Sequence, residues 1–217
     1  MIKVRFNLIA GSVIGRLCLG FIFVIFFHSC TEENVAQADF TIELEQSTKN
    51  DGLVKWQEGY AHVDGVNFSG QMNNGLSTAY SPITEVISLN GNEAAFGRVF
   101  ISSGNYSNVK LIYEFQRAGT GEQGLLLIGD YRGTPVELHV NELISIEAST
   151  VDVDFLQNQL KTGKGFLDAA ALFATVKETD LDNATKVSGK IIIAKNPNLS
   201  IYNKVVAQFE NSIIVSF

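Results

Sequence analysis

"VKLIYEF" (residues 109–115) is the stretch on which the fold turns. Val109, Leu111, Tyr113 and Phe115 share one face, Lys110 and Glu114 lie on the other, and Ile112 sits between them. Alternation with a period of two is the mark of a half-buried strand, because successive side chains of a strand point to opposite faces. Working outward, the same signal recurs. Upstream lie "ITEVISLN" (83–90) and "AFGRVFIS" (95–102), divided at Asn90-Gly91, and then "SSGNYSN" (102–108), which is expected to be a turn. Downstream, after the glycine-rich "RAGTGEQG" (117–124), "LLLIGDY" (125–131) and "PVELHV" (135–140) flank Arg132-Gly133 and predict a hairpin with Val136, Leu138 and Val140 inward. "LISIEA" (143–148) adds another strand.

Nearer the N-terminus, "FTIELE" (40–45) alternates Phe40, Ile42 and Leu44 against polar residues. The turn chemistry of "STKNDG" (47–52) follows, then "LVKW" (53–56) with Val54 and Trp56 on one face, so the spacing predicts an antiparallel hairpin. "YAHVDGVNFSG" (60–70) continues as strand, with Gly65 a bulge or bend. Strand signals about ten residues apart, from 40 to 148, predict a mainly β chain, an antiparallel β-sandwich.

Beyond residue 148 the pattern changes. "TVDVDFLQNQLKTG" (150–163) reads either as strand or as a capped helix from Thr150. "GFLDAAALFATV" (165–176) places Phe166, Ala169 or Ala170, Phe173 and Val176 at helical spacing among alanines. "KIIIA" (190–194) is a short buried strand, and "NLSIYNKVVAQFE" (198–210) predicts a helix capped by Ser200 with Ile201, Val205 and Phe209 on one face. "SIIVSF" (212–217) closes the chain as a strand that pairs back into the sheet. One or two short helices are therefore expected in the C-terminal third.

The N-terminus carries a different kind of signal. Lys3, Arg5 and Arg16 precede an apolar run from Leu17 to Phe27, and Ser29-Cys30 follows. The run is too short for a spanning helix, which needs roughly 20 apolar residues, and fits a secretory h-region of about 7–15. "FHSC" (27–30) resembles the lipobox of bacterial lipoproteins, and its looseness is similar to that of Bacteroidetes lipoproteins. The resemblance implies cleavage before Cys30, a diacylglycerol on its thiol and an acyl chain such as palmitate on its amine. "TEE" (31–33) resembles the acidic surface-export signal of that group. "VFISSGNYSNVKLIYEF" (99–115) also resembles a recurring piece of small β-sandwich lipoproteins of unknown function. Together these imply residues 1–29 as signal peptide, 30–38 as lipidated N-terminus and tether, and 39–217 as one domain. The expected address is the cell envelope, at the outer membrane or cell surface.

Loss of the 29-residue leader, which holds three basic residues and no acidic one, leaves 188 residues with 13 basic against 23 acidic side chains, a formal net charge of −10. Such an acidic body argues against nucleic acid and against anionic headgroups as partners. Cys30 is then the only cysteine, so no disulfide forms within the chain and the core must hold the fold. A chain of this size buries about 70% of its unfolded surface.

Candidate chemistry is sparse. His62 and His139 lack the paired spacing of a metal site. Asp64 could orient His62, yet no Gly-x-Ser-x-Gly supplies a nucleophile. Asp152 and Asp154 share a strand face and could form a glycosidase pair, read otherwise as a solvated face. Asp180, Asp182 and Thr185 partly match a calcium loop, without its glycine or closing Glu. Gly119, Gly121 and Gly124 match G-x-G-x-x-G between two strands, the wrong context for a dinucleotide site. Trp56, Tyr60, Tyr106, Tyr113 and Tyr131 could line a groove or simply pack. No cofactor and no metal is expected. The sequence reading is a non-enzymatic envelope lipoprotein with a binding or assembly role. The alternatives are an envelope hydrolase of glycan or ester, acting through Asp152, Asp154 or His62, and a subunit docking onto a membrane partner.

Overall fold

The computed structural model describes residues 34–45, 52–90, 95–115, 123–150 and 152–217. The leader, Cys30, the 47–51 part of the first predicted turn and residues 117–122 of the glycine-rich loop lie outside them. The described chain is mainly β and forms two mixed sheets, one of them a half-barrel. Its strands are β1 (Val35–Leu44), β2 (Lys55–Met72), β3 (Gly75–Ser88), β4 (Ala95–Ser102), β5 (Gly104–Phe115), β6 (Leu125–Tyr131) and β7 (Thr134–Val140). They continue with β8 (Ile144–Thr150), β9 (Val153–Phe155), β10 (Leu160–Leu167), β11 (Lys186–Val187), β12 (Lys190–Ile193) and β13 (Ile213–Ser216). Three short helices, α1 (Ala169–Leu172), α2 (Glu178–Asp182) and α3 (Leu199–Val206), and a 3-10 turn (Phe209–Asn211) fill the C-terminal third.

The smaller sheet has the order β13-β10-β1-β4, and the larger runs β11-β12-β7-β6-β2-β5-β8 with β3 also on β2 and β9 also on β5. The long strand β2 organises the larger sheet. One edge pairs first with β6 and then with β5, while the other edge takes β3. The register shifts between Val63 and Gly65 on both edges, so the predicted bulge is present. A Cβ on Gly65 would lie 2.5 Å from the Tyr80 ring, so any larger residue at the bend would have to displace that exposed ring.

VKLIYEF behaves as its alternation requires. Val109, Leu111, Tyr113 and Phe115 are buried in the core, and Lys110 is exposed and paired with Glu147 at 2.6 Å. The β6–β7 hairpin also forms, with Arg132 and Gly133 both at positive φ (52° and 83°), the geometry of the hairpin turn that matches strand twist. The core lies between the sheets. Phe40 of β1 stacks on Phe68 of β2 with centroids 6.0 Å apart, and the Tyr113 hydroxyl donates to the Thr41 carbonyl at 3.2 Å. Burial pushes the Tyr113 hydroxyl far above the ordinary tyrosine range, so it stays a donor.

Several expectations are corrected. The fold is not antiparallel throughout, because β1–β10 and β7–β12 are parallel pairs. Turn spacing dictates direction only for strands joined by a short turn, and these pairs are far apart in the chain. β1 and the LVKW segment do not form a hairpin: β1 lies between β10 and β4, and β2 belongs to the other sheet. The first strand begins at Val35, inside the stretch read as tether, with Ala36 and Ala38 fully buried. SSGNYSN is not a turn, since β5 starts at Gly104 and pairs with β9.

The predicted helix over 165–176 shrinks to α1. Residues up to Leu167 are strand, held between β1 and β13, and ladder partners on both sides outweigh a weak helical propensity. Asp168 then caps α1 by accepting from the amides of Ala170 and Ala171 at 2.9 Å. The 150–163 segment is strand rather than capped helix where described, as β9 and the start of β10. Helix α3 buries Ile201 and Val205 as expected, but its N-cap is Asn198, not Ser200. Asn198 sits at φ 67°, and its side chain binds Thr185 and Ile192 instead of the helix amides.

Candidate functional site

Alternation along β7 turns Val136, Leu138 and Val140 to the core and leaves Glu137 and His139 together on the opposite face. That face opens into a cleft of about 300 Å³ at the C-terminal end of β7, lined by Gln123, His139, Asn141, Ala194, Lys195, Asn196 and Tyr202. The segment after β12 supplies residues 194–196, α3 supplies Tyr202, and the residues leading into β6 supply Gln123.

Two carboxylates organise the surrounding charge. Glu137 accepts from Lys190 Nζ at 2.7 Å and meets His139 Nε2 at 2.9 Å. The Lys190 ammonium first, and the His139 hydrogen bond with it, hold the Glu137 carboxyl below the usual carboxylate range. Glu142 accepts from Lys195 Nζ and, at 2.5 Å, from the Tyr202 hydroxyl. Lys195 and Tyr202 lower the Glu142 carboxyl, while burial, then Glu142 itself, raises the Tyr202 hydroxyl. Tyr202 is therefore a hydrogen-bond donor and not a base. Gln123 Oε1 is buried and has no hydrogen-bond partner among the described residues.

The amide, imidazole and ammonium groups of Asn141, Asn196, His139 and Lys195 give the cleft a polar lining. His139 with Glu137 has the form of an oriented base, but the lining residues include no Ser, Thr or Cys to act as nucleophile. Spacing i, i+2 in "VELHV" was the available signal for the Glu137–His139 pair. Gln123, Glu142, Lys195 and Tyr202 come from distant parts of the chain and gave none.

The other candidates are not brought together. His62 lies on β2, with its backbone amide donating to Gly124 at 2.8 Å and both ring nitrogens buried without a partner among the described residues. Asp64 therefore does not orient it. Asp154 is exposed and accepts from Asn105 at 2.9 Å. Asn105 stands near the start of β5, and Val63, next to His62, pairs with Phe115 at its end. Ten residues of strand, about 33 Å, separate the two neighbourhoods. Asp152 is exposed near Asp154.

Asp180 accepts from the Lys177 amide and from Lys204 Nζ at 2.6 Å, and these hold its carboxyl below the usual range, Lys204 first. Asp182 accepts from the Tyr131 hydroxyl at 2.8 Å, and the Thr185 amide donates to Asn198. Each has a structural task, and the described residues hold no group of three or more His, Cys, Asp or Glu suited to a metal ion. Gly124 is buried at the entry to β6, while Gly119 and Gly121 lie outside the described residues. Trp56, Tyr106, Tyr113 and Tyr131 are core residues; Tyr60 is half-buried and donates to Glu58. They line no common groove.

A second, more apolar depression of about 590 Å³ lies over α1 and is lined by Leu53, Phe173 and Val176 among others. Among the described residues no helix is long and apolar enough to cross a membrane. In comparisons with known proteins, no family model, no curated protein and no solved structure matches this chain.

Proposed function

We propose that this is a lipid-anchored cell-envelope protein, tethered through Cys30 at the outer membrane or cell surface and serving a non-enzymatic binding or assembly role. The observation that carries the reading is the basic n-region, the apolar run Leu17–Phe27 and the Ser29-Cys30 junction. The body is read as a β-sandwich in which the two mixed sheets are the layers, a reading supported by the Phe40–Phe68 stack and the Tyr113–Thr41 hydrogen bond. The binding role is supported by the cleft beside His139, with its Gln123 oxygen unpartnered among the described residues. A hydrolase working through Asp152, Asp154 or His62 draws no support from two exposed carboxylates and a histidine, its ring nitrogens buried, remote from them.

Mass spectrometry of the N-terminus of the membrane-extracted protein tests the anchor. The expected species begins at Cys30 and carries diacylglycerol. An unmodified Cys30, or retention of residues 1–29, would refute it. Cys30→Ser is expected to move the protein from the membrane fraction to the soluble one.

A further inference from the structure

Four large apolar side chains that the core does not absorb gather at one end of the molecule. Leu76 is 68% exposed, Phe100 65%, Leu156 56% and Leu160 47%. Phe100 and Leu160 both pair with Gln37, from opposite sides, so the three share one row across β4, β1 and β10 on the face away from the core. Leu156 opens the turn whose Asn158 amide donates to the Val35 carbonyl at 3.1 Å. Leu76 stands at the β2–β3 hairpin, and its neighbour Ser77 shares the Tyr106 hydroxyl with the carbonyl of Ser102. Ser102 pairs with Val35. All four thus surround the entry of β1, where the chain arrives from its N-terminal segment.

Four residues lie between Cys30 and Val35, so five Cα–Cα steps join them. Fully extended they reach at most ~18 Å. A lipid on Cys30 would therefore confine this end of the body, and no other, to the membrane surface. We infer that Leu76, Phe100, Leu156 and Leu160 form an apolar rim that docks on the neutral headgroup–acyl boundary of the bilayer and fixes how the anchored body faces it. The inference rests on the lipid-anchor reading and deepens it.

The charge around the rim suits a zwitterionic surface. Asp39 is neutralised by Arg98 at 3.2 Å, the Lys161 ammonium donates to the Asp154 carbonyl at 3.0 Å beside the exposed Asp154 and Asp152 carboxylates, and the mixed charge gives anionic lipid no basic patch to hold. In this division of labour the acyl chains supply affinity and the rim supplies orientation, since separate membrane contacts reinforce one another.

The test uses the full chain as purified from membranes and reconstituted into phosphatidylcholine vesicles with brominated acyl chains. Phe100→Trp and Leu160→Trp are compared with Val187→Trp, an exposed site on β11 at the far edge of the larger sheet. Because docked apolar side chains sink to the acyl boundary, bromine is expected to quench either rim tryptophan about twofold or more over the Val187 control. Equal, weak quenching at all three positions, with diacylglycerol present on Cys30 by mass spectrometry, would overturn the rim and leave the anchor standing. An unmodified Cys30 would overturn both. Dimers in detergent that Phe100→Asp dissolves would assign the rim to a second copy of the chain and overturn bilayer docking.

Discussion

The two sheets are built on different principles. Much of the larger sheet comes from chain neighbours: β2 with β3 and β6 with β7 are hairpins, and β5 closes onto β2. The smaller sheet collects β1, β4, β10 and β13 from across the whole described chain, and its central pair is parallel. A hairpin costs little loop entropy, whereas pairing Gln37 with Leu160 must close a very long loop first. The comparison teaches that the larger sheet is a locally encoded scaffold, and that the smaller one depends on side chains reaching across the core.

The sharpest way to break that arrangement is Phe40→Ala. Phe40 is fully buried, stacks on Phe68 and meets Phe217 edge-on at 6.5 Å, so it couples the sheets. Truncation is expected to cost about 3–5 kcal/mol in urea denaturation.

One substitution made in both sheets separates them further. In Gly129→Ala of β6 the new methyl would stand 2.6 Å from the Lys55 carbonyl, a backbone atom that cannot rotate away, and a loss of about 1–3 kcal/mol is expected. In Gly163→Ala of β10 the nearest neighbours are side chains, the ring of Phe217 at 2.8 Å and that of the buried Phe40 at 3.0 Å, which can give by a few tenths of an ångström where a backbone carbonyl cannot. Its loss should be smaller, below about 1 kcal/mol, in the same thermal melts. Equal losses would mean that the smaller sheet is as rigidly packed as the larger.

Tyr113→Phe removes the hydroxyl that spans from β5 to β1 and should cost about 1 kcal/mol, read as a lowered denaturation midpoint with an unchanged slope.

The smallest effect belongs to the rim of the larger sheet. Glu137 is held below the ordinary carboxylate range in the folded protein, so its contribution is present above its unfolded pKa and is lost as pH falls through the folded value. Lys190 is half exposed, which limits the pair to less than about 1 kcal/mol. Melting temperatures of the parent and Glu137→Gln should therefore differ most near neutral pH and converge in acid.

Legibility followed the same division. Period-two alternation located Val109 to Phe115 and Val136 to Val140, because it depends only on each residue's place in the pleat. The Arg132-Gly133 turn was readable for a related reason, since glycine marks backbone at positive φ that other residues enter at a cost. The helix expected at Phe166 failed because β1 and β13 offer that segment ladder partners that no local rule contains. At the cleft, Glu137 and His139 could be placed together from their spacing, but Tyr202 and Gln123 could not.

The amino-acid sequence alone determined that the chain is β-rich, which faces of its strands are apolar, and the basic-then-apolar pattern that ends at Cys30. Tertiary structure alone decided that β1 lies parallel to β10 and that Gln123, His139 and Tyr202 share a cleft. It also decided that the exposed Phe100 and Leu160 flank Gln37 in one row beside the entry of β1. Local pattern registers the conformational preferences of neighbouring residues; which distant strand satisfies a given edge is set by the fit of side chains across the whole core.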